Sequence, residues 1–303
     1  MTHWTSSRIP SQRGRIAVVT GTGGLGLQTA LELARAGARV VVAGRSADKG
    51  AEAVATIRRD AAGAEVSFES LDLASLESIE KFSQHLAQRV HRVDVLVNNA
   101  AVMTPPKREL TRDGFELQLG TNHLGHFALT GRLLPLLRAG QAPRVVSLSS
   151  VAARSGQLRF DDLQSEQRYR PMEAYSQSKL ACLMFALELQ RRSEAANWGV
   201  RSMAAHPGIA RTDLLPNGAG PTSPQALVRK FLWFLFQPVA QGALPTLFAA
   251  TAPEALGGQY YGPDRLGETR GHPTFARIPP QALETKAAVR LWAESARLTD
   301  VQI

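Results

Sequence analysis

Short apolar runs alternate with longer amphipathic segments from residue 15 to about residue 206, and this rhythm is the strongest constraint on the fold. The runs are rich in valine and other β-branched residues, as in strands that are buried on both faces of a parallel sheet. The segments between them have the length of helices that cross from one parallel strand to the next. The sequence therefore predicts an α/β fold: a single-domain, Rossmann-type, doubly wound parallel sheet with helices on both faces.

The predicted elements follow one another without a linker. Strands are expected at Arg15–Thr20, Arg39–Ala43, Glu65–Glu69, Val93–Val97, Arg144–Leu148 and Val200–Ala205. Helices are expected at Leu27–Ala36, Ala47–Arg59, Leu76–Gln88, Arg112–Leu137 and Tyr175–Arg192. The last third departs from this rhythm: 214–224 is typical of a loop, Gln241–Thr251 of a helix, and 257–273 of a strand with surrounding turns.

The domain organisation and the cellular location follow from length and composition. The sequence predicts a flexible leader over residues 1–14 and a single domain over 15–303, because too little apolar sequence remains for a second core. The leader lacks the apolar stretch of a secretory signal. The most apolar later run, residues 231–236, is far too short to cross about 30 Å of hydrocarbon. The lone Cys182 fits a reducing compartment, and we predict a cytoplasmic protein.

The chain is basic, with a net charge of +9 from 35 basic and 26 acidic residues. Such an excess can indicate nucleic acid, an anionic membrane surface or an anionic ligand. The basic residues do not form runs longer than two, and no basic stripe alternates with aromatic side chains. The distribution therefore argues against a nucleic-acid partner. A phosphate-bearing cofactor would use one or two of the arginines.

The turn between the first strand and its helix is rich in glycine. Glycine lets the backbone approach a pyrophosphate, and a helix N-terminus offers it free N–H groups and a partial positive charge. A glycine string is weak evidence alone, but between a strand and a helix it predicts dinucleotide binding. The expected contacts of this turn are Gly21, Gly23, Gly24, Leu25 and Gly26.

The end of the second strand indicates which dinucleotide binds. A carboxylate there would hold a free ribose 2′-hydroxyl, as NAD prefers, whereas this chain has Arg45 and Ser46. Arginine can pair with a 2′-phosphate, so NADP(H) is favoured over NAD(H). An exposed loop arginine is the alternative. After the third strand, Asp72 and Leu73 lie where they would contact adenine, and a plain surface turn is an equal alternative.

Several further motifs resemble those of the short-chain dehydrogenase/reductase family. They are Asn98-Asn99-Ala100-Ala101 after a strand, Asn122, Ser149-Ser150 at a strand end, Tyr175-Ser176-Gln177-Ser178-Lys179, and His206-Pro207-Gly208 with Thr212 nearby. Together they span residues 15–212. The 25 positions from Ser150 to Tyr175 resemble the longer insertion of the branch that contains retinol dehydrogenases and the WW-domain oxidoreductase.

The resemblance implies roles for individual residues. Ser150 would hydrogen-bond the substrate oxygen, Lys179 would hold the nicotinamide ribose, and Asn122 would support a water that leads to Lys179. The cofactor contacts implied farther along the chain are Asn99, Tyr175, Lys179, Pro207, Gly208 and Thr212. Residues 214–240 would form a lid over the substrate pocket.

Two positions depart from the family pattern. The family has Gly-x-x-x-Gly-x-Gly, whereas Gly21, Gly24 and Gly26 are one residue tighter. The turn is therefore expected to be shorter, which leaves the individual phosphate contacts open. Ala101 replaces a glycine, so its backbone is expected to avoid positive φ.

The Tyr175 and Lys179 pair has a chemistry of its own. Tyrosine is a poor base at neutral pH because its ordinary pKa is about 10. Lys179 lies one helical turn away on the same face, and its charge, together with that of an oxidised nicotinamide, favours the phenolate. Tyr175 is therefore predicted to exchange a proton with an alcohol or a carbonyl. Cys182, among apolar neighbours, is expected to be a small buried residue, and the histidine spacing predicts no metal site.

The sequence thus predicts an NADP(H)-dependent alcohol dehydrogenase or carbonyl reductase acting on a small lipophilic molecule, in a chain whose oligomeric state is open. The apolar run Phe231–Phe236 suggests an apolar wall of the substrate pocket. Packing in the hydrophobic core and packing at a subunit interface are equal alternatives for this run. Two other functions remain. One is an NADP-binding regulator without turnover, which intact Ser150, Tyr175 and Lys179 speak against. The other is a nucleotide-sugar epimerase or dehydratase, which Leu27 in the glycine motif disfavours.

Overall fold

The computed structural model describes residues 3–209 and 237–303. These residues form one eight-stranded sheet in the order β3-β2-β1-β4-β5-β6-β7-β8. Its strands are β1 (Ile16–Thr20), β2 (Arg39–Gly44), β3 (Val66–Ser70), β4 (Val95–Asn98), β5 (Arg144–Leu148), β6 (Arg201–Ala205), β7 (Tyr260–Arg265) and β8 (Arg270–Phe275). The doubly wound fold is confirmed, with one correction. The sheet is parallel only as far as β7, and β8 pairs with β7 in antiparallel fashion. A four-residue connection permits that hairpin, whereas a parallel neighbour would need a crossover.

All but the last of the longer helices in the described residues lie where the sequence predicts them, with shifted ends. They are α1 (Gly24–Arg35), α2 (Ala47–Asp60), α3 (Leu76–Arg89), α4 (Gly125–Arg138), α5 (Pro171–Ala195), α6 (Leu244–Thr251) and α7 (Thr285–Thr299). Helix α1 begins three residues before the predicted start, inside the glycine turn. Helix α5 begins four residues earlier because Pro171 at its first position fixes a helical φ and has no N–H to leave unsatisfied. Helix α7 was not predicted.

The long helix predicted over Arg112–Leu137 is wrong in its first half. A loop runs as far as Glu116, whose carboxylate accepts hydrogen bonds from the N–H groups of Gln118 and Leu119. A helical turn (Leu117–Leu119) and a π-helical turn (Gly120–Leu124) then lead into α4. Apolar periodicity does not reveal this, because a π-helical turn inserts one residue into the helix without changing the character of its buried face.

Alternate residues of each strand pack on opposite faces of the sheet. Ala17 and Val19 of β1 join one apolar cluster with α1, α2 and α6. Val18, between them, joins a second cluster with α3, α4 and Trp292 of α7. Both faces are therefore covered, as the continuous apolar strands require. In the part of the chain that is described, no helix has the length and apolar character needed to span a membrane.

The N-terminal residues do not form the free leader that the sequence predicts. Trp4 is 2% exposed and lies edge-to-face on Phe248 of α6, with ring centroids 5.5 Å apart. Its carbonyl oxygen accepts a hydrogen bond from Nδ1 of His272 in β8. Trp4 and Gln12, both 2% exposed, therefore anchor this segment on the domain. The polar composition of this segment hides the contact, because a single tryptophan makes it.

Candidate active site

A cavity of about 820 Å³ opens at the carboxyl ends of the parallel strands. Residues that follow β1, β2, β3, β4, β5 and β6 all reach it, as expected for a doubly wound sheet. Fourteen of the predicted site residues line it: Gly21, Gly23, Gly24, Leu25, Arg45, Ser46, Asp72, Leu73, Asn99, Ser150, Tyr175, Lys179, Pro207 and Gly208. Gly26 and Asn122 lie behind the wall instead. Thr212 and the predicted lid as far as residue 236, with its apolar run, lie outside the described residues.

The glycine turn leaves no room for a side chain at Gly21 or at Gly26. Gly21 has a φ of +102°, and a Cβ there would lie 2.7 Å from Nδ2 of Asn99. A Cβ at Gly26 would lie 2.6 Å from the carbonyl oxygen of Gly21. Gly26 therefore acts by letting α1 pack against the turn rather than by lining the cavity. No side chain caps the N-terminus of α1, so its free N–H groups remain available to an anion.

Thr20 and His126 hold the turn against the end of β4. The Thr20 hydroxyl accepts hydrogen bonds from the N–H groups of Asn99 (2.9 Å) and Ala100 (3.0 Å). Nδ1 of His126 lies 2.9 Å from the carbonyl oxygen of Asn122 and must donate to it. Burial lowers the pKa of His126 to about 4, so Nε2 is unprotonated and accepts from Thr20 at 2.9 Å. These hydrogen bonds thus hold in place the residues that would bind a pyrophosphate.

Two cations lie at the end of the cavity that follows β2. Arg45 lines it as predicted, and Lys49, which the sequence analysis missed, lines it as well. Ser46 lines the same end and caps α2, because its hydroxyl accepts from the N–H of Lys49. The signal for Lys49 was present, since the first turn of the helix after β2 faces the same strand end as Arg45.

Asp72 serves both of the alternatives that the sequence left open. It lines the cavity beside Leu73. Its carboxylate also accepts from the N–H of Ala74 at 3.0 Å, as in an ordinary Asx turn.

Ser150, Tyr175 and Lys179 all line the cavity. Ser150 follows β5, and the other two lie one turn apart on α5, with Lys179 Nζ 6.0 Å from the Tyr175 ring centroid. The Lys179 ammonium donates to the carbonyl oxygen of Leu148 at 3.0 Å, and the Ser149 hydroxyl donates to the backbone oxygen of Lys179 at 2.7 Å. These two bonds fasten α5 to the end of β5, where Ser150 begins the next turn.

The predicted phenolate of Tyr175 depends on the charge of Lys179 together with that of an oxidised nicotinamide, and Lys179 by itself does not produce it. Burial raises the pKa of Tyr175 to about 12, and a hydrogen bond with Ser150 lowers it only in part. Burial also lowers the pKa of Lys179. Desolvation is the largest cause of the raised pKa of Tyr175, and Lys179, whose Nζ lies 6.0 Å from the ring centroid, does not reverse it. In the protein alone the hydroxyl of Tyr175 is therefore protonated at neutral pH.

Asn122 is buried in the π-helical turn and does not line the cavity. Its side chain accepts from the N–H of Val102 at 2.8 Å and donates to the Val102 carbonyl oxygen and to the Ser178 hydroxyl, both at 2.9 Å. Its own carbonyl oxygen accepts from the Cys182 thiol at 3.1 Å. The geometry thus gives Asn122 a role in holding the loop after β4. Its predicted support of a water stays a prediction, and Cys182 is buried as expected.

An apolar wall, which the sequence analysis missed, lines the cavity beyond Ser150 and Tyr175. It comprises Val102, Met103, Val151, Met172 and Ile209. Met172 is 49% exposed and lies three residues before Tyr175 on the same helix. The spacing alone could have identified Met172, whereas the others lie on irregular segments without a periodic signal.

Comparison with known proteins agrees with this geometry. A family model described as short chain dehydrogenase matches residues 15–219. Retinol dehydrogenase 13 from Homo sapiens is 40% identical over 296 residues, which cover 95% of this chain and 86% of that protein. Polyprenol dehydrogenase from Mus musculus is 42% identical over 299 residues, which cover 96% of this chain and 85% of that protein.

Solved structures of similar proteins include one with a cofactor. A crystal structure of an uncharacterized protein from Mycobacterium Paratuberculosis is 39% identical, with a TM-score of 0.83 and 99% of each chain covered. The RhlG/NADP active-site complex from Pseudomonas aeruginosa is 25% identical, with a TM-score of 0.65, and the match covers 82% of this chain and 94% of that one.

Proposed function

This chain belongs to the short-chain dehydrogenase family, in its retinol-dehydrogenase-like branch, and from that premise we propose that it uses NADP(H) to interconvert a lipophilic carbonyl compound and its alcohol. The family and the relatives make it an oxidoreductase that acts on an alcohol or a carbonyl group. The choice of cofactor, the class of substrate and the residue roles are the proposal. The observation that carries it is the meeting of Ser150, Tyr175 and Lys179 in the cavity that the glycine turn also lines.

The described residues fit a nicotinamide dinucleotide. The glycine turn leaves no room for a Cβ at Gly21, and the free N-terminus of α1 faces the cavity. Arg45 and Lys49 would hold a 2′-phosphate. The strand end itself carries Arg45 and Ser46 rather than a carboxylate, although Glu52 of α2 also lines the cavity. NADP(H) is therefore favoured over NAD(H). When bound, the nicotinamide supplies or accepts the hydride.

The proton is handled by Tyr175. Tyr175 and Ser150 both line the cavity, and the Ser150 side chain partly offsets the rise in the pKa of Tyr175, so the two hydroxyls can hold one substrate oxygen between them. Because burial keeps Tyr175 protonated at neutral pH, the site is ready to donate a proton to a carbonyl oxygen. Alcohol oxidation needs the phenolate, which requires a further positive charge nearby or a higher pH. Lys179, fastened to Leu148, would hold the ribose beside the nicotinamide.

A lipophilic substrate is supported by the wall beyond Ser150. Val102, Met103, Val151, Met172 and Ile209 present aliphatic and thioether groups to the cavity. Methionine adapts to irregular apolar shapes, so such a wall suits a bulky chain better than a polar ligand. The names of the relatives, retinol dehydrogenase and polyprenol dehydrogenase, point the same way.

A panel of carbonyl compounds and alcohols, followed at 340 nm with NADPH and NADH or their oxidised forms, tests this proposal. The panel should run from short aldehydes to long-chain isoprenoid aldehydes and their alcohols. We expect turnover of the long apolar members with a higher kcat/KM for the phosphorylated cofactor. Stoichiometric NADPH binding without turnover of any member would favour the regulator instead. A preference for the short polar compounds would contradict the proposal that the substrate is lipophilic.

A further inference from the structure

His206 lies at the end of β6, fully buried, directly before the Pro207 and Gly208 of the cavity wall. Its Nδ1 lies 3.2 Å from the backbone nitrogen of Gly208, and its Nε2 lies 3.0 Å from Oε2 of Glu268. No side chain larger than hydrogen fits opposite the ring, because a Cβ at Gly262 would overlap Nε2. The imidazole is therefore locked in place between the cavity loop and the hairpin formed by β7 and β8.

The two contacts of His206 specify one tautomer. The Gly208 N–H can only donate, so Nδ1 must carry a free lone pair. The carboxylate of Glu268 can only accept, so Nε2 must carry the proton. Burial lowers the pKa of His206, so the ring stays neutral at pH 7 and keeps Nδ1 as an acceptor. The opposite tautomer would point two N–H groups at each other.

Glu268 also binds the segment that follows Ser150. Its Oε2 lies 2.7 Å from the guanidinium of Arg154, and its Oε1 accepts from the N–H of Arg277 at 3.0 Å. Arg154 donates in addition to the carbonyl oxygen of Gly267 at 3.3 Å. Glu268 itself has a φ of +68°, a backbone conformation that a residue with a side chain rarely adopts. The hairpin turn holds this conformation while the carboxylate spans both loops.

The same hairpin touches the cavity loop through its backbone. The Ile209 N–H donates to the Thr269 carbonyl oxygen at 2.8 Å. Gly208 has a φ of +64°, and a Cβ there would overlap that Thr269 oxygen. The hairpin therefore approaches Gly208 as closely as the backbone permits.

We propose that Glu268 is a positioning residue that sets the tautomer of His206, and through it the orientation of Gly208, while Arg154 ties the same carboxylate to the Ser150 segment. This inference rests on the proposed function, because it takes Pro207 and Gly208 to contact the cofactor. The β7–β8 hairpin thereby couples the cofactor loop to the segment that carries Ser150.

Three variants separate this role from ordinary hairpin stability. Glu268→Ala removes the acceptor, Glu268→Gln keeps an oxygen that can accept from Nε2, and His206→Asn keeps a side-chain oxygen for the Gly208 N–H. Asp264→Ala is the matched control, because Asp264 lies on the same hairpin but accepts from His272. NADPH dissociation constants are measured by fluorescence, with thermal unfolding of each protein as the check on folding.

We expect Glu268→Ala to weaken NADPH binding about tenfold and Glu268→Gln less than threefold, with Asp264→Ala unchanged. In the His206→Asn background, adding Glu268→Ala should change the dissociation constant less than twofold, because Glu268 acts through His206. Nitrogen-15 NMR of labelled histidine should show His206 with its proton on Nε2 in the wild type and a mixture of tautomers in Glu268→Ala.

The results distinguish a failure of the proposed function from a failure of the positioning role of Glu268. Wild-type protein that binds no NADPH would overturn the proposed function. Wild-type protein that binds NADPH while Glu268→Ala binds equally well, or a wild-type His206 protonated on Nδ1, would overturn the positioning role alone. If Glu268→Ala does not fold, the positioning role is still tested by the tautomer of His206 in the wild type and by the NADPH affinity of Glu268→Gln, since both are measured on folded protein.

Discussion

Replacing Tyr175 with phenylalanine removes a single oxygen from the centre of the site. The ring is 4% exposed and keeps its packing in the variant. Burial raises the pKa of its hydroxyl to about 12, so the group is a protonated donor at pH 7. The change therefore removes the general acid and leaves the shape of the cavity almost unaltered.

The size of the effect follows from these contacts. A positioned general acid contributes about 10²–10⁴-fold to the rate, so kcat should fall by at least about a hundredfold. Lys179 stays fastened to Leu148 and Ser149, so the dissociation constant for NADPH should change by about threefold or less, which is about 0.65 kcal/mol. Losing one buried hydrogen bond costs about 1 kcal/mol of unfolding free energy.

Reduction of the preferred aldehyde at 340 nm measures kcat, and fluorescence titration measures NADPH binding. Tyr261→Phe is the matched control, because Tyr261 is equally buried on β7 but its hydroxyl bonds with the backbone of Leu256. It should lose similar stability and keep full activity. If Tyr175→Phe keeps a kcat within tenfold of the wild type, or Tyr261→Phe loses as much activity, Tyr175 is not the proton donor.

Three further changes test other parts of the site and the fold. Arg45→Asp should lower the preference for NADPH over NADH, measured as the ratio of kcat/KM values, and an unchanged ratio would refute the phosphate contact. Gly26→Ala should abolish cofactor binding in titrations, because its Cβ would lie 2.6 Å from the Gly21 carbonyl oxygen; unimpaired binding would mean that the turn has room. Trp4→Ala should lower the unfolding free energy by about 3–5 kcal/mol in denaturant titrations, whereas a loss below 1 kcal/mol would indicate a loosely held leader.

Much of the site could be predicted because parallel strands share one edge. Residues 21–26, Ser150 and Pro207–Gly208 each follow a strand, and the carboxyl ends of those strands meet at the cavity. The position of each residue directly after a strand was therefore enough to predict that these residues lie close together. The Tyr175 and Lys179 pair is likewise set by the spacing of one helical turn.

The parts that could not be predicted depend on contacts between distant segments. His206 and Glu268 are 62 positions apart in sequence, and nothing around Glu268 signals a carboxylate that faces a buried histidine. Trp4 packs on Phe248 from the far end of the chain, which no periodicity in the first residues reveals. The raised pKa of Tyr175 depends on how completely the helices exclude water from the site, a property of tertiary packing rather than of spacing. The cytoplasmic location stays a prediction.

Transfer of deuterium tests the central claim most directly. NADPH that carries deuterium at C4 of the nicotinamide, on each face in turn, is mixed with the protein and a long-chain aldehyde, and the alcohol is analysed by mass spectrometry. Because hydride passes directly to the carbonyl carbon, one of the two labelled cofactors should give an alcohol that carries the deuterium, and Tyr175→Phe should give almost none. An alcohol without deuterium from both labelled cofactors, or no alcohol despite bound NADPH, would contradict an oxidoreductase built on Ser150, Tyr175 and Lys179.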